Sequence, residues 1–579
     1  CKDVMVTVTI DGREDPYTFQ HPYQLFALSK QMVTSLVRIA REEKIPILDA
    51  VTLHDRPAYR FRDNEPMAFL EKNLFRYTRQ QYEKEQHAIS IHCTRNPKEE
   101  AEFVMGEIHR LIREEGYRYR EIAIITGDVS VYADYLEKMS EMYEIPIFMD
   151  YKRSVLLNSF VEYIRSLLAM VEQNFTYESV FRFLRTGLTS FTYEEIDELE
   201  NYVIALGIRG YKKWDEKWVR KYPGMETEEL EHINDIRCRF VEMVWEVTLI
   251  LKKKRKTVEE ITLALHAFFV REELQAKVER YERQFQEAGE LSLAKEYAQI
   301  YRIVIEIFDK FMELLGEEAL GLKEYCELLD AGLEEAKVGV IPPGIDEVVV
   351  GDIERTRLKD IKVLFFMGAN DTYIPGNMKG SGLLSEQDRK VFEAGKVALA
   401  PNGKEKVYIQ KFYLYLDLTK PSEKLYVSYS KVSGEGKSIR PAYLLMDLQK
   451  LYPGLAIVEE EKKTMEDVEL TKKSGMKYII AGIRNGGEDI TEEWLELYSA
   501  YKRDPKWSQV VEKLVEAGFY RRHEECLSRE MARKLYGEKI EGSVTRLERF
   551  SACAFAHFLS YGLRLKERKE YKFEAVDLG

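Results

Sequence analysis

The first constraints on this 579-residue sequence come from what it lacks. None of its 33 glycines forms a GxGxxG and no GxxxxGK[ST] occurs, so it carries neither a dinucleotide fingerprint nor a phosphate-cradling loop. HExxH and GxSxG are missing as well, which leaves autonomous zinc-protease or serine-hydrolase chemistry without support. No apolar run approaches the ~18 residues of a membrane span. The opening "CKDVMVTVTIDG" has no basic region followed by an apolar one, the pattern of a secretory signal. The six cysteines (Cys1, Cys93, Cys238, Cys326, Cys526 and Cys553) are scattered, with no close pair for a zinc knuckle or a compact disulfide framework. A reducing cytoplasm is the expected compartment. The net charge of -13 excludes a uniformly basic nucleic-acid coat but not a narrow positive channel, because averaging hides local fields.

At this length about three to five structural units are expected. The alternating "VMVTVTI" near the start reads as a central strand, so the sequence is expected to begin inside a domain; the ending at "DLG" gives the same expectation. Residues 89 to 149 are the most readable. After the β-rich "AISIHC" comes "NPKEEAEFVMGEIHRLIREEGY", with Asn96 as N-cap, Pro97 at the first helical position and Glu99 and Glu100 at the positive end of the helix dipole. The runs "EIAIIT", "VYADYLEKMSEMYE" and "IPIFMD" then complete strand, helix, strand, helix, strand, the pattern of a parallel sheet with crossover helices. From 151 to 337 there is one proline, Pro223, and long helical periodicities such as "YAQIYRIVIEIFDKFMELL", which predict an all-helical insertion. β-rich runs return at 346 to 352, 361 to 369 and 424 to 430, and the sheet is expected to resume there. Residues 451 to 542 are charged and predict a helical connector. From 543, Ser543 and Thr545 can cap a helix carrying Leu547, Phe550, Phe555 and Phe558 and ending near Gly562.

Two basic runs, "YRYRE" (117 to 121) and "LKKKRKT" (251 to 257), could meet phosphates, but each taken alone is most simply a solvated helix end or turn. In "ERTRLKD" (354 to 360) the basic residues fall between two predicted core strands, where α/β proteins bind ligands. A cysteine such as Cys553, taken alone, is most often a small buried hydrophobe. An iron-sulfur centre takes about four thiolates, and no cysteine near Cys553 in sequence supplies the others.

In order, "GYRYREIAIITGDVSVYADYL", "YEIPIFMDYKRSVL", "GDIERTRLKDIKVLFFMGANDTYIP", "GLLSEQDRK", "LYLDLTKPSEKLYVSYS", "GEGKSIRPAYLL" and "LERFSACAFAHFLSYGLRLKER" resemble the AddB family, also called RexB, over essentially the whole chain. This is the B subunit of bacterial ATP-dependent helicase-nucleases, which resect double-strand DNA breaks for recombination. The resemblance implies an α/β, UvrD-like superfamily 1 helicase fold built on a P-loop-type parallel sheet, a large helical insertion, a helical connector and the start of a PD-(D/E)XK nuclease. The implied layout is 1–85, end of the first helicase-like domain; 86–150 and 338–450, the second; 151–337, the insertion; 451–542, the connector; 543–579, the truncated nuclease start.

The resemblance also implies residue roles. Cys553 matches the first ligand of a 4Fe-4S cluster whose other ligands lie far towards the C-terminus, with Ala554 where the family has proline. Asp577 and Gly579 match the start of a "DxGxxxH" segment. The acidic and lysine residues that hold magnesium are absent, so no catalytic nuclease residue is assigned in this chain. The family's phosphate loop precedes the counterpart of Cys1, which leaves ATP binding open. Gly127 stands for the arginine of "LYRTN", "RTRLKD" for "HKAKGLE", and Thr419 and Lys420 cover "ALTRA" with lysine replacing its arginine. Lysine is a point charge where arginine is a bidentate fork, so the motor is expected to be degenerate and to hold DNA while an AddA-type partner drives translocation. Tyr117, Arg118, Arg120, Arg355 and Arg357 are the candidate DNA contacts. The alternative is a non-enzymatic DNA-binding or assembly scaffold on the same fold.

Overall fold

The computed structural model describes residues 4–565 and 570, apart from 12–13, 19–20, 54–56, 77, 150–154, 223, 337–344, 376–383, 396, 398, 463–469, 485–489, 521–525 and 540–541. Asp577 and Gly579 lie outside the described residues. The chain divides into two compact units, 1–151 with 340–521, and 152–339 with 522–579.

The first unit is built on strands β1 (Ile89–Thr94), β2 (Ile122–Thr126), β3 (Ile147–Met149), β4 (Val348–Asp352), β5 (Val363–Met367), β6 (Lys424–Ser430) and β7 (Ile457–Glu459). They form one sheet in the order β3-β4-β2-β5-β6-β1-β7, and each pair is parallel. Registers such as Ile124 opposite both Val350 and Phe365 place apolar residues in rows. Successive side chains in a strand point to opposite faces, and both faces are covered. Ile122, Ile124, Val363 and Phe365 pack with Val104, Ile108 and Leu111 of the Pro97–Glu114 helix and Leu136 of the Val129–Tyr143 helix. Ala123, Ile125, Leu364, Phe366, Leu425 and Val427 pack on the other face with Leu414 and Leu418 of the Gly403–Leu418 helix and with Met67 and Leu70. Burial on both sides explains why these strands read as continuous apolar runs. Each fully buried Leu, Ile or Phe contributes about 1.5–3 kcal/mol.

The second unit is helical from Val155–Leu157 to Leu322–Glu335, with its own core around Phe160, Ile164, Trp214, Phe240, Phe268 and Tyr325. No helix among the described residues is long and apolar enough to cross a membrane.

Three expectations are corrected. Residues 4–10 form no strand; an extended segment becomes one only when a neighbour hydrogen-bonds it, and no described strand pairs with it. Strand β7 lies inside the stretch expected to be helical, because three residues are too few to show a period. The single helix expected from 543 to 562 is broken. Ser543 caps Val544–Ala552 by accepting from the Arg546 amide, but Cys553 is extended (φ -161°, ψ 106°) and separates it from the short turns Ala554–His557 and Phe558–Gly562.

Candidate nucleic-acid interface and the two edges of the sheet

Parallel α/β sheets bind ligands outside the carboxyl ends of their strands. Here that crevice is occupied by the protein itself. Glu100, in the first turn of the Pro97–Glu114 helix, is fully buried. Its Oε1 accepts from the Gly368 amide (2.8 Å) and Ser428 Oγ (2.6 Å), and its Oε2 from Tyr132 Oη (2.7 Å) and Ser430 Oγ (2.6 Å). Four donors hold a charge that burial alone would expel. Next to it Asn370 Nδ2 donates to the carbonyls of Ser430 (2.8 Å) and Arg440 (3.1 Å), while its Oδ1 accepts from the Ser430 amide. In sequence, Glu100 is legible only as an acid at the positive end of the helix dipole. The signal that would have found it is its spacing: 100, 104, 108 and 111 share one face, and the other three are core residues.

Gly127 sits at this same edge, directly after β2. A Cβ there would lie 2.8 Å from Tyr373 Cβ, so glycine is required for close packing. Thr419 and Lys420 lie at the opposite edge, before β6. The structure does not bring these three positions together. Arg60 Nε and Nη2 both donate to the Thr419 carbonyl (3.2 and 3.0 Å), and burial, with Arg60 nearby, lowers the pKa of Lys420.

Arg355 and Arg357 occupy the crossover between β4 and β5. Asp352 Oδ1 accepts from the amides of Glu354 (2.9 Å) and Arg355 (2.8 Å), its Oδ2 meets Arg355 Nε at 2.6 Å, and the Asp352 amide donates to Thr356 Oγ1 (3.0 Å). Thr356 lies so tightly over Gly351 that a Cβ on the glycine would be 1.8 Å from Thr356 Oγ1. Ile353, Thr356 and Leu358 point inward, leaving Arg355, Arg357 and Lys359 exposed. Arg357 lies 5.7 Å above the Tyr413 ring and donates from Nη1 to the Glu354 carbonyl (2.8 Å). Beneath the crossover Asp417 is buried with Oδ2 lacking a hydrogen bond, and burial pushes its carboxyl well above the usual range despite Arg357.

Tyr117, Arg118 and Arg120 lie where β2 begins, away from the start of that crossover. Tyr117 donates its phenol to Glu423 Oε2 (2.6 Å), and Lys362 and Lys424 stand 5.8 and 6.0 Å from its ring centre. Burial and the glutamates push the phenol pKa up. Lys362 pairs with Glu121 (3.2 Å) and Lys424 with Glu115 (2.6 Å). The guanidinium groups of Arg118 and Arg120 are on exposed residues, whose amides donate to Glu121 and Asp346. In "LKKKRKT", Lys256 is buried and caps its helix through the Leu251 carbonyl (2.5 Å), and Lys253 pairs with Glu260 (3.0 Å).

In the second unit Cys553 is exposed, and its Sγ accepts from the Ala556 amide at 3.4 Å. It is therefore not the buried hydrophobe that composition alone favours.

No family model matches the chain. Among known proteins it is 43% identical over 586 residues to the ATP-dependent helicase/deoxyribonuclease B subunit of Lachnoclostridium phytofermentans, covering 100% of this chain and 51% of the relative. The proteins of the same name from Caldanaerobacter subterraneus subsp. tengcongensis (35%, 100% of this chain and 51% of the relative) and Clostridium novyi (33%, 96% and 49%) agree. The chain belongs to the family of ATP-dependent helicase/deoxyribonuclease B subunits. It spans about half the length of the relatives it matches. A cluster of four irons would need about four thiolates. Among the described residues no group of three or more His, Cys, Asp or Glu is placed to hold a metal ion, so neither an iron-sulfur nor a magnesium site is formed by these residues alone.

Proposed function

We propose that this chain is the DNA-holding part of the B subunit of an ATP-dependent helicase-nuclease that resects double-strand DNA ends for recombinational repair, acting with an AddA-type partner in the cytoplasm. The observation that carries the reading is the similarity over the full chain to proteins named as ATP-dependent helicase/deoxyribonuclease B subunits. Its sheet and helical unit are then the second helicase-like domain and its insertion, and residues from 543 the beginning of a nuclease.

Two features support a motor half that holds DNA without driving along it. The strand-end crevice is filled by the Glu100 carboxylate, which repels phosphate, and Gly127 and Lys420 stand at opposite edges where an active motor carries arginines. Of the candidate contacts, Arg357 has the better setting, on an exposed loop with the Tyr413 ring beneath it, and Arg355 beside it is exposed but paired with Asp352 (2.6 Å). Tyr117 is committed to Glu423 and flanked by lysines already paired with glutamates. Cys553, as an exposed thiol, would supply one ligand of a 4Fe-4S cluster, and magnesium would be held by residues outside this chain.

The same filled crevice favours, as a second reading, a scaffold without catalysis. The deciding experiment uses the full-length protein with and without its partner. Magnesium-dependent degradation of linear duplex by the pair, lost when a nuclease carboxylate of this protein is replaced, supports the first reading. Degradation unaffected by that change supports the scaffold. ATP hydrolysis by the full-length protein without its partner would contradict a degenerate motor.

A further inference from the structure

The helical unit carries an aromatic and cationic surface of its own. On the Thr227–Leu251 helix and the residue that caps it, Trp245, Leu249 and Lys252 follow one stripe at i, i+4 and i+7. Trp245 is 38% and Leu249 50% exposed. Trp245 stacks on Tyr211 with ring centres 6.0 Å apart and planes at 29°. Lys252 Nζ stands 4.3 Å over the Tyr211 ring and 5.6 Å from that of Phe175, and donates to Asn174 Oδ1 at 2.9 Å.

The backbone under this stack is held in an unusual state. Asn174 and Phe175 are consecutive residues with left-handed φ (54° and 57°), and Gly210, beside Tyr211, has φ 83°. The Gly210 amide donates to the Phe175 carbonyl (3.3 Å), joining the two loops. A buried phenylalanine in the left-handed region is sterically disfavoured and persists where the surroundings impose it. Its effect here is to put the Asn174 amide where it fixes Lys252 over the tyrosine. Arg209 and Lys212, on either side of Gly210 and Tyr211, are exposed.

We propose that this surface is a single-stranded DNA contact: a base stacks on the open face of Trp245, and the adjoining phosphates meet Lys252, Arg209 and Lys212. The proposal rests on the reading of the chain as a DNA-holding subunit. An aromatic platform with fixed cations is what sequence-tolerant strand binding uses. A protein partner is the poorer match, since the cores of protein interfaces are depleted in lysine. Glu242, one turn before Trp245, marks the end of the surface that phosphate would avoid.

Tryptophan emission makes the test direct. Of the five tryptophans, Trp214, Trp218 and Trp494 are buried and Trp507 is half-buried, leaving Trp245 as the exposed one. A thymidine 20-mer titrated into the 579-residue chain should quench emission. Trp245→Phe, which keeps an aromatic platform, should bind within about threefold yet lose the quench. Trp245→Ala should weaken binding by about 5- to 150-fold, the equivalent of ~1–3 kcal/mol for one stacked base. Lys252→Met should reduce the salt slope by about 0.7. Each variant is compared at matched circular dichroism. If the parent binds the 20-mer while the quench survives in Trp245→Phe and Trp245→Ala keeps its affinity, this contact is wrong and the DNA-holding reading stands. If the parent does not bind at all, both fall. If Trp245→Ala keeps the 20-mer but loses the AddA-type partner, the surface is a protein interface and the proposal is overturned.

Discussion

Glu100 shows how one side chain can decide what a sheet edge does. Its two oxygens collect four donors from separate parts of the chain, so its loss leaves Tyr132, Ser428, Ser430 and the Gly368 amide without an acceptor in a dry site. Glu100→Ala is therefore expected to cost on the order of 3–5 kcal/mol, the range for breaking a buried charged network. A fall in the urea midpoint of the chain would register it, and an unchanged midpoint would contradict the network. Asp417 makes the opposite case. Its carboxyl is raised above the ordinary 3.8 by burial, so the folded state holds a proton that the unfolded state has released. Between 3.8 and the raised folded value stability must fall as pH rises. Asp417→Asn should be more stable than the parent at about pH 7, with the gap closing as pH approaches about 4; a gap independent of pH would rule out a raised carboxyl. Neither residue announced itself in sequence. Glu100 lay within a helix first turn, where an acid is ordinary, and the burial of Asp417 depends on a loop some sixty residues earlier.

At the scale of elements, legibility followed burial. Strands β2, β4 and β5 read as apolar runs because both of their faces are covered, and Asn96 capped its helix as its position required. The three residues of β7 carry no period, and the extended backbone of Cys553 interrupts an apolar spacing that stays helical on paper. The crossover between β4 and β5 was legible as a basic loop between strands, whereas its anchoring was not: Gly351 and Thr356 must be seen in contact. Gly351→Ala would force Thr356 aside, with an expected cost of about 1–3 kcal/mol from overpacking. Adding Thr356→Ala should recover part of that loss, since it removes the hydroxyl oxygen that the new Cβ would strike together with the methyl, although the Asp352 amide then loses its acceptor. No recovery in the double variant would mean that the strain lies elsewhere.

For the molecule as a whole, a net charge of -13 makes local arrangement decisive. Around Tyr117 the lysines are matched by Glu115, Glu121 and Glu423, whereas the crossover exposes three cations, Arg355, Arg357 and Lys359, of which Arg355 pairs with Asp352. That contrast could not be read from the chain order, because Glu423, Lys362 and Lys424 reach Tyr117 from roughly 245 to 307 residues away. Phosphate contacts release counterions, so each one lost lowers the dependence of affinity on salt by about 0.9 on duplex DNA. The most direct test of a DNA-holding sheet is thus the binding of a forked duplex to the full-length protein across a salt series, with and without Arg355→Ala and Arg357→Ala together. Binding should weaken and the salt slope should shrink by about two; unchanged affinity with an unchanged slope would remove the crossover from the path of the DNA.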